Sequence, residues 1–356
     1  MATKKMTRRS FLKHSATATG VLVGSGPLLL LPRKGQAAAD KGPIVFCTYG
    51  GPYGENMQKH VIDPFVKKTN IQVIRTSTPN FAKVKAMVDI GNVEWDVVDS
   101  ETRLFYRGAE AGMFTPLDWK VIGHKDELVP GGVEPMGAAN VFYCGVLCWN
   151  KTKVKGAAAP KSWADSFKLP GKRTFRNEAW GTMEVALMAD GVPKDKLYPL
   201  NVERALKKLS TVKKDIIFWK KTKMALDLFT SGEVDFGYLG YGPTRKAIDA
   251  GVPLDFTWNQ AILNRDYLVI PKGSKQVESA MKFIAHCMDP EIQAQYSMHY
   301  HIGPSNTKAF DYIPKERSDQ LPTAPEHLDM AMQTDGKYWA QNQADLAKQF
   351  DRWMIS

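Results

Sequence analysis

The 356-residue sequence has no Cys-x-x-Cys pair, no Gly-x-Gly-x-x-Gly opening a first βα unit and no Gly-x-Ser-x-Gly elbow. Those absences remove the signatures of disulfide oxidoreductases, dinucleotide-binding enzymes and serine hydrolases, so neither an enzyme nor a cofactor is expected. The only close histidine pair, His299-x-His301, lacks a third ligand nearby, and no metal site is expected either. Internal repeats and low-complexity tracts are also missing. Cysteine is scarce: Cys47, Cys144, Cys148 and Cys287 each lie in an apolar run and are read as buried thiols. Cys144 and Cys148 fall in one expected strand, roughly 13 Å apart, too far for a mutual bridge.

Basic charge is plentiful but unevenly placed. The formal net charge is +11, with 48 Lys and Arg against 37 Asp and Glu. Seven of the basic residues and no acid lie in residues 1–39, leaving 41 against 37, about +4, in the rest. No run of Lys and Arg interleaved with aromatics remains to track phosphates, so no nucleic-acid partner is expected. The basic start has its own logic. Thr7-Arg8-Arg9-Ser10-Phe11-Leu12-Lys13 precedes a weakly apolar stretch, Ala16 to Leu31, that ends in Ala37-Ala38-Ala39. Gly20, Gly24, Gly26 and Pro27 break that stretch, which argues against a permanent span and for a cleaved twin-arginine export signal over 1–39. No Cys follows to take a lipid, so the expected product is a soluble periplasmic monomer exported by the twin-arginine machinery.

Beyond Pro43 short apolar strands alternate with amphipathic helices, the pattern of an α/β fold. Strands are expected at Ile44 to Thr48, Ile71 to Thr76, Asp96 to Val98 and Val141 to Asn150, after a loop-rich stretch from Pro116 to Ala139. A second series has strands at Thr174 to Arg176, Ile216 to Trp219, Val234 to Tyr238 and Leu254 to Trp258. Helices lie between them, at Met183 to Ala189, Val202 to Leu209, Met224 to Phe229 and Thr244 to Ala250. A strand from Asp266 to Ile270 precedes helices at Val277 to Met288, Ile292 to Tyr300 and Gln341 to Trp353. The expected domains are 40–143 with about 267–325, then 144–266, then a C-terminal helical segment, 326–356. Two such lobes enclose a cleft, where strand ends meet helix starts.

The order of short segments carries a specific likeness: Thr48-Tyr49-Gly50-Gly51, Ile62-Asp63-Pro64-Phe65, Trp95-Asp96-Val97-Val98, Ser162-Trp163-Ala164-Asp165, Ser231-Gly232-Glu233-Val234-Asp235-Phe236-Gly237, Ile270-Pro271-Lys272-Gly273 and Gly303-Pro304-Ser305-Asn306. Together they resemble the extracellular solute-binding proteins of ABC importers, in the branch that includes the spermidine/putrescine binders. The resemblance implies a type II periplasmic-binding-protein fold whose hinged lobes close on a small solute, and an ABC permease as partner.

In polyamine binders carboxylates hold the ammonium groups and aromatic rings sandwich the methylene chain. By position, the resemblance puts Glu178 and Asp266 at the acidic contacts. Strand-end loops add Tyr49, Gly50 and Tyr53, then Ser100 and Glu101, with Tyr143 on the crossing strand and Trp180, Tyr238 and Tyr241 near the second-lobe site. The pattern also departs from the polyamine binders. Asn264 stands where they carry an aromatic, another near Gly240 is missing, and the first loop is Gly-Gly-Pro-Tyr. A polyamine-like cation is the leading expectation, and an amino-acid-like zwitterion, an aminophosphonate and a thiamine-like cation stay open. Gly237, Gly240 and Gly242 before a helix could offer N–H groups to an anion, or form only a tight turn.

Overall fold

The computed structural model describes residues 42–356, and the export signal read at 1–39 lies outside the described residues. Eleven strands form one sheet: β1 (Ile44–Thr48), β2 (Val73–Ser77), β3 (Val97–Glu101), β4 (Val133–Glu134), β5 (Gly137–Asn150), β6 (Arg173–Arg176), β7 (Ile216–Trp219), β8 (Phe236–Gly240), β9 (Leu254–Val269), β10 (Gly303–Pro304) and β11 (Met332–Gln333). The main path runs β2-β1-β3-β9-β5-β8-β6-β7.

That order contains the same motif twice. On one side β2, β1 and β3 are parallel and closed by antiparallel β9. On the other β7, β6 and β8 are parallel and closed by antiparallel β5. Parallel neighbours need crossover helices, and helices follow most of these strands as the periodicity requires. Side chains alternate between faces, so each half buries two clusters. Phe46, Val97, Val141 and Leu268 pack on one face of the first half, and Cys47, Val98, Phe142 and Tyr267 on the other. In the second half Leu147 and Phe175 pack with Trp163, Met183 and Trp339 on one face, while Cys148 and Leu239 pack with Phe229 and Trp219 on the other. The long strands β5 and β9 belong to both halves.

Local signals set many element boundaries. Asn80, Ser162, Asn201, Asp289 and Asp335 each cap a helix through a side-chain oxygen, a contact worth about 1 kcal/mol. All four cysteines are free and buried, and burial raises the Cys47 thiol to about 11.

Several expected boundaries change. The separate strands at Leu254 to Trp258 and Asp266 to Ile270 are one strand, β9. The polar pair Asn259-Gln260 interrupts the apolar pattern but forms a bulge, with Gln260 in the left-handed region at φ 61°. Trp163 holds that bulge: its backbone N–H donates to Gln260 Oε1 at 3.0 Å and its indole N–H to the Gln260 carbonyl at 3.1 Å. β5 begins at Gly137, inside the stretch expected to be loop, because Ala138, Ala139 and Asn140 are small or polar yet fully buried. β3 extends through Glu101, so Ser100 and Glu101 lie in the strand. β8 runs to Gly240, and the next helix, Tyr241–Asp249, starts at Tyr241 with Gly240 as its cap. Among the described residues no helix is long and apolar enough to cross a membrane.

Candidate ligand-binding site

Two carboxylates sit where β3 meets β9. Asp266 is paired in register with Glu101, and Asp99 lies diagonally across on the same face. Asp99 is fully buried and Asp266 is 6% exposed, and each has one oxygen, Oδ1, without a hydrogen-bond partner. The other Asp99 oxygen accepts from Thr48 Oγ1 and from the Tyr53 hydroxyl, both at 2.8 Å. Burial pushes Asp99 up to about 6 against the pull of those two bonds. Asp266 is raised well above the ordinary carboxylate range by burial and then by the charges of Asp99 and Glu101, while a Tyr143 hydrogen bond opposes the shift. Two buried acceptors that resist ionisation in the free protein are arranged to receive a cation.

Aromatic rings surround the pair. Tyr49 meets Tyr53 edge-on at 6.0 Å, and Tyr53 meets Tyr300 edge-on at 5.8 Å. Tyr143 on β5 stands opposite Asn264 of β9, one pleat from Asp266 on the same face. Gly50 caps the helix Gly51–Met57 and is exposed, with open space where a side chain would be.

Next to this acidic corner lies a cavity of about 450 Å³, reached by Tyr143 and Asn264 from the crossing strands. Its far wall holds Arg176, Trp180, Trp219, Lys220, Lys221 and Thr222. The indole nitrogens of Trp180 and Trp219 are buried and have no partner. Lys221 caps the helix Thr222–Thr230 without any side-chain acceptor for the first N–H groups. Buried donors without acceptors, an open helix start and cationic side chains make a wall suited to an anion. Tyr238 closes the cavity by lying against Gly145 and Gly181, since a Cβ at either would overlap its ring. Gly181 also has φ +79° in a non-helical kink with Trp180, which turns the indole out of the helix Ala179–Ala189.

Several of the expected site residues are engaged by the protein itself. Glu178 is not a free acidic contact: its two oxygens accept from Arg103 Nη1 at 2.5 Å and Arg176 Nε at 2.9 Å. The Arg103 guanidinium also lies 3.8 Å from the Trp180 ring centroid. Glu101 likewise serves the protein, accepting from the N–H groups of Leu104 and Arg103 and from Arg103 Nε. Ser100 points to the opposite face of β3, towards Tyr267, because strand side chains alternate. Tyr241 is core. It is 1% exposed, and its hydroxyl donates to the Gln320 carbonyl at 2.6 Å. Tyr241→Phe is therefore expected to cost about 1 kcal/mol in chemical denaturation and leave solute affinity unchanged. The His299 and His301 rings separate: His299 stacks on His60 at 4.1 Å, and His301 receives Arg317.

Asp266 has no ion pair with its neighbour Arg265, which turns away to Pro130 and Gln333. Asp99, Arg103, Arg176 and Trp219, which the sequence did not single out, lie in or beside this region. Asp99 had a signal, an acid inside the apolar strand Val97-Val98-Asp99, and Trp219-Lys220-Lys221 stands at a strand end where ligand contacts concentrate.

The profile described as bacterial extracellular solute-binding protein matches residues 60–328. The chain belongs to that family. This solute-binding protein is 32% identical over 326 residues to the gamma-aminobutyric acid-binding protein of Pseudomonas aeruginosa, covering 89% of this chain and 92% of the relative. A solved structure described as a GABA receptor superposes with a TM-score of 0.80 at 34% identity, covering 88% of this chain and 98% of that one. The spermidine/putrescine-binding protein of Escherichia coli is more distant, 25% identical over 249 residues, or 66% of this chain and 70% of the relative. The solute-binding protein is thus the periplasmic component of an ABC transporter, with the mixed α/β fold of periplasmic binding proteins, and it works with a membrane permease. The polyamine branch is the remoter likeness.

Proposed function

We propose that this solute-binding protein captures an amino-acid-like zwitterion, with its ammonium group at Asp99 and Asp266 and its acid group at the wall of Trp180, Trp219, Arg176 and Lys220. One observation carries this reading: the Oδ1 atoms of Asp99 and Asp266 are buried acceptors without partners, and the indole nitrogens of Trp180 and Trp219 are buried donors without partners in a cavity that Asn264, two residues from Asp266 on the same strand face, also lines. A polyamine would satisfy the first set and leave the second facing a cation. The two acidic partners of a diamine are also not both available, because Glu178 is engaged by two arginines. The names of the P. aeruginosa relative and the solved receptor support the same solute class.

In this reading lobes at 40–143 with 267–325 and at 144–266 close about β5 and β9, and 326–356 packs against both lobes, on the helix Thr102–Glu110 of the first and on the Trp163 and Met183 cluster of the second. The protein reaches the periplasm through the twin-arginine machinery and acts as a monomer. The test is a thermal-shift comparison of the protein with gamma-aminobutyric acid, putrescine and butyrate. A ligand at about 100-fold excess over its Kd adds about 2.7 kcal/mol of stability. The zwitterion alone is expected to give that shift, and a shift with putrescine but not the zwitterion rejects the reading.

A further inference from the structure

A second chamber, also of about 450 Å³, adjoins the cavity just described and shares Tyr143, Cys144 and Gly240 with it. Its character is different. Leu226, Tyr241, Pro243, Ala247, Tyr300 and Ile302 form its walls, with Lys246 and His301 as the only ionisable side chains besides Cys144 and the tyrosines. Lys246 Nζ lies 4.6 Å from the Tyr300 ring centroid. His301 is neutral, held down to about 4 by burial and by Arg317, whose guanidinium donates to its Nδ1.

One aromatic chain links the chamber wall to the acidic corner. Tyr300 lines the chamber and meets Tyr53 edge-on, and the Tyr53 hydroxyl donates to Asp99. It is also built from both halves of the molecule: the helix Tyr241–Asp249 supplies one side and Tyr300-His301-Ile302 the other. A short, unbranched amino acid spanning the acidic corner and the donor wall would leave this apolar space to water, which apolar surface disfavours. Binding pockets of this kind are mostly apolar, with a few polar groups fixing orientation, and this chamber adds only Lys246, which lies over the Tyr300 ring, and a neutral His301 to its apolar walls.

Resting on the zwitterion reading above, we infer that the natural solute is a substituted amino acid whose apolar arm branches from the backbone and sits in this second chamber. The acidic corner and donor wall fix the charged groups, and the chamber selects the substituent.

Gly242 offers a clean way to close the chamber. A Cβ there would meet His301 at 3.6 Å, an ordinary contact, and its φ does not require glycine. The experiment is calorimetric titration of wild type and Gly242→Leu with gamma-aminobutyric acid and its α-, β- and γ-phenyl derivatives. At least one phenyl derivative is expected to bind wild type tenfold or more tighter than the parent, a difference of about 1.4 kcal/mol. Gly242→Leu is expected to erase that gain while holding the parent's affinity within about twofold. The inference is overturned if no phenyl derivative binds wild type more tightly than the parent, or if the gain survives in Gly242→Leu. If neither the parent nor any derivative binds wild type, the zwitterion reading falls and the chamber assignment falls with it.

Discussion

Asp266→Asn is expected to weaken binding of the zwitterionic solute by about 2–4 kcal/mol while leaving the free protein as stable as wild type or more so. The first half follows from the geometry. Asp266 is buried, its Oδ1 has no partner, and a bound ammonium would supply the missing charge-assisted hydrogen bond. Removing one member of a desolvated ion pair costs several kcal/mol because the other charge is stranded. The second half follows from the same burial. In the free protein Asp266 lies near Asp99 and Glu101 and is held away from ionisation by both. Asparagine keeps the shape and the Tyr143 contact and removes that repulsion. The measurements are titration calorimetry and a denaturant midpoint on the same preparation. A variant that binds normally but unfolds several kcal/mol more easily would make Asp266 a structural residue.

Solute affinity is expected to fall about tenfold between pH 7 and pH 5, while the stability of the free protein moves the other way. Asp99 is raised from its ordinary value of 3.8 to about 6 by burial. A raised carboxylate binds its proton more tightly folded than unfolded. Its contribution to stability is therefore fully present below about 3.8 and lost as pH rises through about 6, on the order of 3 kcal/mol across that window. Asp266, raised in the same direction, adds to the trend. The bound ammonium reverses the preference, because it stabilises the ionised pair. Affinity then falls as pH drops through about 6, tenfold for each unit below it per proton taken up. Thr48, Tyr53 and Tyr143 face the pair and none is expected to change charge between pH 5 and 7. A carboxylic solute also stays ionised in that range. An affinity that is flat from pH 7 to 5, or that rises on acidification, contradicts this assignment.

The alternation of strands and helices was legible because each half of the sheet buries both faces, which makes its strands short apolar runs with polar boundaries. Ile216–Trp219 and Val277–Met288 were read with their observed bounds for that reason. Asn259-Gln260 failed as a boundary because two hydrogen bonds from Trp163, 97 residues away, make a polar bulge inside a strand. No local pattern contains that partner.

The site divides along the same line. Asp266, Tyr49, Tyr53, Tyr143, Trp180 and Tyr238 could be placed near strand ends or on the crossing strand; the fold puts Tyr143, Trp180 and Tyr238 around one cavity and links Tyr49 and Tyr53 to the corner of Asp99 and Asp266. Glu178 could not be judged from its position, because what decides its role is Arg103, which reaches it from the helix Thr102–Glu110 in the other half. Once Arg103 and Arg176 neutralise Glu178, the cleft has one acidic corner instead of two, and the polyamine expectation loses its second anchor. Unpartnered donors such as the indole nitrogens of Trp180 and Trp219 have no sequence signature, since only the fold shows which polar atoms lack partners.

The most direct test of the zwitterion site is a crystal structure of the protein with gamma-aminobutyric acid bound. The predicted complex has the ammonium nitrogen within hydrogen-bonding distance of Oδ1 of Asp99 and Asp266, and the carboxylate on the indole nitrogens of Trp180 and Trp219. A solute bound elsewhere, or one whose ammonium group lies on Glu178 with the Asp99 and Asp266 oxygens still unpartnered, would contradict it.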